Sequence, residues 1–122
     1  MNSSTQGTTL MPRAYPTLAA LPCQIGRSAF PDERDFRFKT FEGKDHDGSG
    51  PAHYFWDAEN KPLNVDSPAT DQVVTGLIAA QVLKIESGRA LVEVPDASVA
   101  WVDEKVLVPR PTEVDLHVPV RS

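Results

Sequence analysis

Cysteine is almost absent. Cys23 is the single one in 122 residues, so no disulfide can close within the chain. Small secreted domains usually depend on such bridges, and the expectation is a cytoplasmic protein. Long apolar runs are missing as well. No stretch approaches the roughly eighteen residues a membrane span needs, so a membrane partner is not expected. Leu18-Ala19-Ala20-Leu21-Pro22-Cys23 faintly resembles a lipoprotein cleavage box, but Pro22 is wrong for cleavage and Arg13 and Pro16 interrupt what precedes it. A cationic surplus is lacking too. Twelve Lys and Arg stand against 17 Asp and Glu, a formal net charge of −5, and the tightest basic group, Arg34, Arg37 and Lys39, is interleaved with Asp35. Binding by phosphate neutralisation needs a basic face, so no nucleic-acid partner is expected. The seven glycines are dispersed, which leaves no phosphate-cradling loop, and no serine sits in a Gly-x-Ser-x-Gly elbow.

Proline is the residue in excess, at 11 of 122. Each lacks a backbone N–H and resists helix interiors and central strands. The widest proline-free windows are 32–50, 69–94 and 96–108, which excludes long helical bundles. Pro31, Pro51, Pro68, Pro95 and Pro109 instead divide the chain into short segments.

Those segments carry strand patterns. Gln24–Arg27 reads as a first strand. Asp35-Phe36-Arg37-Phe38-Lys39 alternates strictly, with both phenylalanines on one face. Phe41 breaks that parity and suggests a bulge near Thr40. Gly43–Gly50 reads as a polar loop, and His53–Trp56 as a third strand closed by the turn-like Asp57–Asn60. Val82–Ile85, Glu86-Ser87-Gly88 and Arg89–Val94 have the make-up of a β-hairpin. Pro95–Ser98 is a second turn, Val99–Val102 another strand and Lys105–Val108 a last short one. Ser67-Pro68 is a fair helix start, but Val73, Val74, Thr75 and Ile78 favour strand over helix for 73–85. After Pro111, Val114, Leu116, Val118 and Val120 alternate with Asp115, His117 and Pro119, the pattern of an edge strand. Its apolar face is covered by its own sheet or by another subunit, or else the segment is disordered.

The expected fold is therefore all-β: a small partly open β-barrel with extended N- and C-terminal arms. The alternative is α+β with a short helix near 67–81. The expected organisation is a flexible arm over 1–21, the barrel over 22–109 and an arm with an edge strand over 110–122. Whether Met1 or Met11 is the native start is open. Residues 76–108, with their hairpin, second turn and Trp101 strand, resemble the hairpin-rich half of a Src-homology-3-type barrel. That resemblance implies architecture alone. The aromatic cluster with which peptide-binding members grip proline-rich ligands has no match at the corresponding positions.

Three constellations carry possible chemistry. Asp45-His46-Asp47-Gly48-Ser49-Gly50 resembles the first half of an EF-hand loop, with Asp45, Asp47 and Ser49 at alternate ligand positions for calcium and Gly50 at the turn. The second half departs from it: Trp56 stands where a bidentate Glu belongs. A plain Asp/Gly turn accounts for the same residues. His46 and His53, with Asp45, Asp47 or Asp57, form a second metal candidate, for a transition metal. Tyr54-Phe55-Trp56 is the densest aromatic run, and Tyr54 and Trp56 share a face that is either core or a partner-binding surface. Cys23 has no helix start behind it to activate its thiol, and no catalytic residue is assigned.

The function expected is a non-enzymatic protein-interaction or self-association module, with Tyr54, Trp56, Val114, Leu116 and Val118 meeting a protein partner or a second copy. A homo-oligomer through 113–121 is one form of it. The alternatives are a small-ligand or calcium-binding domain and an accessory subunit of a larger enzyme.

Overall fold

The computed structural model describes residues 17–64 and 66–111. It is an antiparallel, nearly closed barrel of seven strands: β1 (Thr17–Arg27), β2 (Glu33–Lys39), β3 (Asp45–Pro51), β4 (Phe55–Trp56), β5 (Val74–Glu86), β6 (Arg89–Glu93) and β7 (Val99–Asp103). The sheet order is β3-β2-β1-β5-β6-β7, and the two-residue β4 pairs with β5. The expected all-β barrel is therefore what forms. No helix occupies 67–81; β5 takes its second half.

β1 and β5 are the central pair, in register from Thr17↔Val82 to Ile25↔Val74. Ala19, Leu21, Cys23 and Ile25 alternate inward along β1, as a strand's period of two requires. They meet Phe36, Phe38, Phe55, Ile78, Ala80, Val82, Ala90, Val92 and Val102 in one core. Residues 17–21 thus belong to the central strand and not to an arm. Pro22 sits inside it without breaking a ladder bond. Both backbone bonds of Ala20 run to Val108, away from β5. By alternation the missing N–H of Pro22 points the same way, into the interval before β2 pairs at Gln24.

The outer face of that pair is covered too. Ala20 and Ala79 form a flat floor on which Trp56, only 1% exposed, lies with Val108, Leu77 and Tyr54. Small residues are needed there because both faces of the sheet are occupied. Arg110 strengthens this cover: its Nε donates to Ala19 O at 2.8 Å and its Nη2 to Ala80 O at 3.0 Å.

The hairpin β5–β6 turns through Ser87 and Gly88, both at positive φ (55° and 81°), the two-residue turn whose twist matches the strands. The register slips between Val82 and Lys84. This bulge lets Val82 and Ile85 both face inward and leaves Leu83 exposed, a parity change the sequence pattern alone does not announce.

Several local expectations are corrected. Thr40–Lys44 is a tight turn with Gly43 at φ 85°, not a bulge. Asp45–Pro51 is a full strand, not a loop. His53 and Tyr54 belong to a 3₁₀ turn over Ala52–Tyr54. Lys105 and Val106 belong to another over Glu104–Val106, after which Val108 bridges to Ala20.

The barrel closes where β3 meets the turn between β6 and β7. Phe41 N donates to Trp101 O at 2.7 Å, and His46 Nε2 bonds Ser98 Oγ at 2.9 Å. Gly48 and Gly50 allow the approach: a Cβ on residue 48 would overlap the Asp96 carboxylate, and one on residue 50 would lie 3.1 Å from Pro95. The glycines that resemble an EF-hand turn are thus the flat side of a seam.

One end of the barrel is tied by Arg34, a buried charge. Its Nε donates to Ser67 O at 2.8 Å and its Nη2 to Asn64 O at 3.2 Å, while Nη1 serves Pro31 O and Glu33 O. Burial lowers its pKa, with Arg27 acting in the same sense and Asp32 against it. A forked guanidinium suits four carbonyls in different directions and stays charged when desolvated.

Candidate functional site

β3 distributes the sequence-predicted metal ligands by the alternation of a strand. Asp45, Asp47 and Ser49 face solvent; His46 faces the opposite way. Oxygens two residues apart on a strand are spread by roughly 6.6 Å instead of converging on one cation. Each already has a cross-strand partner. Lys39 Nζ lies 2.9 Å from Asp45, Arg37 Nε 2.8 Å from Asp47, and Ser49 Oγ donates to Asp35 at 2.6 Å. The hydrogen bond from Lys39 holds the Asp45 carboxyl below the usual carboxylate range. His46 stacks on Phe38 with ring centroids 4.9 Å apart, whereas His53 leans on Tyr54 at 4.2 Å. Among the described residues, no group of three or more His, Cys, Asp or Glu is placed to hold a metal ion.

The seam brings a histidine, a serine and an aspartate together in an order that does not activate a nucleophile. Ser98 Oγ donates to Asp96 Oδ1, so toward His46 it accepts from Nε2–H. A nucleophilic serine donates to the histidine instead. Cys23 is inert by a different route. It is buried in the core, and desolvation pushes its thiol up to about 12.

The aromatic surface expected at Tyr54 and Trp56 is not a surface. Trp56 is core, and Tyr54 is partly buried against the same cluster. Val114, Leu116, Val118 and the 113–121 pairing lie outside the described residues.

Two other surfaces emerge. The first is the outer face of β5–β6–β7. Leu91 pairs with Trp101 and Glu93 with Val99 in the β6–β7 ladder. These four, with Leu83 at the β5 bulge, are on the side away from the core, and Val99 is 50% exposed. The Arg89 guanidinium lies 4.3 Å over the Trp101 ring. Phe41, also exposed, arrives beside Trp101 through its backbone bond. The sequence carried a sign of this face: Leu91 and Trp101 have the outward parity of Arg89, Glu93 and Asp103, where polar residues are the rule.

The second is a groove of about 820 Å³ across the outer face of β1–β2–β3, walled by residues 70–73. Gln24, Arg37 and Asp47 form one row across the three strands; Gly26, Asp35 and Ser49 form the next. Gln72 and Val73 stand on the rim.

No described helix is long and apolar enough to cross a membrane. No family model, curated protein or solved structure matches the chain, so these surfaces have to be read from their own chemistry.

Proposed function

We propose that the chain is a non-enzymatic interaction module that associates with a second copy of itself through the outer face of β5–β6–β7. The observation that supports this reading is the row of Leu83, Leu91, Trp101 and Val99 on the solvent side of three adjacent strands, with Arg89 stacked on the tryptophan. Tryptophan and arginine beside aliphatic neighbours are the residues that anchor protein interfaces. Their common side is where a half-exposed antiparallel sheet ordinarily carries polar residues. The charges around the row have both signs, Lys84 and Arg89 with Glu86, Glu93 and Asp103, which suits a self-complementary contact. An accessory-subunit role is the same reading with a different partner. The Src-homology-3-type resemblance adds architecture to it and no ligand.

Sedimentation velocity over a concentration series tests the proposal. A concentration-dependent dimer is expected, and Val99→Lys abolishes it while leaving the melting temperature within a few degrees, because Val99 is an exposed side chain. A chain that remains monomeric into the millimolar range, or a dimer untouched by Val99→Lys and Trp101→Ser, refutes it.

A further inference from the structure

Glycine is costly inside a strand, because it loses the most backbone freedom and packs nothing. Five of the described glycines have a reason visible in the structure. Gly43 and Gly88 adopt positive φ. A Cβ on residue 48, 50 or 76 would press on the Asp96 carboxylate, on Pro95, or on the Trp56 carbonyl and Ile25. Gly26 has neither reason. Its φ lies outside the left-handed region, and a Cβ there would meet only Val73 Cγ2 at 3.8 Å and Gln72 O at 3.9 Å, ordinary contacts. Neither the backbone nor the packing of this protein asks for glycine at residue 26, yet the position is the floor of the β1–β2–β3 groove.

We propose that Gly26 keeps that floor open for a neutral saccharide, bound with one ring face against the β1–β2 backbone. The groove's volume, about 820 Å³, is in the range of small-molecule sites. Its polar groups are planar amides, carboxylates and a guanidinium: Gln24, Gln72, Asp35, Asp47 and Arg37. Arg37 and Asp47 are paired at 2.8 Å and remain 56% and 59% exposed, so their outer edges still donate and accept. Asp35 accepts from Ser49 in the same manner, with its carboxylate on the exposed face. A sugar hydroxyl donates and accepts at once, and such side-by-side acceptor and donor pairs are its complement. The charges on the lining nearly balance, two arginines (Arg27, Arg37) against three aspartates (Asp35, Asp47, Asp71), which favours a neutral ligand over an ionic one. Val73, 66% exposed on the rim, supplies apolar contact for the C–H face of a ring. None of these residues belongs to the Trp101 face, so the proposal stands or falls apart from self-association.

The test is an amide chemical-shift titration of the full chain with neutral oligosaccharides, namely α- and β-linked glucose oligomers and chitin oligomers, with citrate as an anionic comparison. Saturable shifts are expected for residues 24–28, 35–37, 47–49 and 70–73 with at least one sugar and not with citrate. Gly26→Val fills the floor and should abolish them, while its thermal stability is unchanged or raised, since a β-branched residue suits the strand better than glycine. Asp35→Ala, on the exposed face, should weaken them at least tenfold and serves if Gly26→Val does not fold. No saturable shift with any sugar, saturation by citrate alone, or sugar binding that survives both substitutions overturns the proposal.

Discussion

Arg34→Met is the substitution whose cost the structure defines best. The native side chain has no exposed surface and spans two segments far apart in sequence, joining β2 to Asn64 and Ser67 across one end of the barrel. Methionine fills a similar volume without donors. The carbonyls of Pro31 and Glu33 belong to the turn at the start of β2, where water replaces the lost bonds cheaply. That of Ser67 is drawn in by the guanidinium and is stranded without it, whereas that of Asn64 keeps its bond from Ser67 N at 3.2 Å and loses only the charged donor. One stranded acceptor at about 1–3 kcal/mol and one charge-assisted bond lost from the other at about 1.5–3 kcal/mol, partly relieved as the loop shifts outward, give a loss of about 3 kcal/mol. For a domain of this size that is a fall of roughly 10–20 °C in melting temperature. Arg34→Lys should cost nearly as much, because one ammonium cannot fork to carbonyls in opposite directions. Urea unfolding measures the loss, and hydrogen exchange should show residues 64–72 opening before the strands do. A loss under about 1 kcal/mol for Arg34→Met would mean that the guanidinium follows the loop and does not hold it.

Two further predictions address the seam and the core. Gly48→Val forces a side chain into the Asp96 carboxylate and against Phe36, at a cost of about 1–3 kcal/mol, whereas Ser49→Val on the outward face should change stability by no more than about 0.5 kcal/mol. Denaturant midpoints of the two variants check this, and equal costs would remove the strand alternation on which the site description rests. Cys23 should be silent to thiol reagents until the protein unfolds. Its thiol ionises at 9.0 in an unfolded chain but near 12 when folded, so stability is fully present below pH 9.0 and falls as pH rises through that interval. Cys23→Ala should flatten that decline in a pH series of unfolding curves, and an unchanged slope would count against a desolvated thiol.

What the sequence determined was the class of fold, because it depends on local chemistry. Prolines cut the chain into lengths too short for long helices. The alternation at Phe36 and Phe38 and the turn at Ser87-Gly88 set strands and a hairpin by period and by φ preference. Side-chain parity was legible wherever a strand ran without interruption. The tertiary structure decided what parity could not. Whether Trp56 was surface or core depended on two alanines from β1 and β5, distant in sequence, lying flat beneath it. Whether Asp45–Gly50 was a cation loop or a strand depended on the β6–β7 turn resting on its glycines, a contact about fifty residues away along the chain. Arg34 read as one member of a basic group interleaved with Asp35 until a loop thirty residues later supplied carbonyls to bury it. The groove at Gly26 and the face at Trp101 share that origin. Each lies on three strands consecutive in the chain, and only the fold brings residues 70–73 to the one and Phe41 to the other.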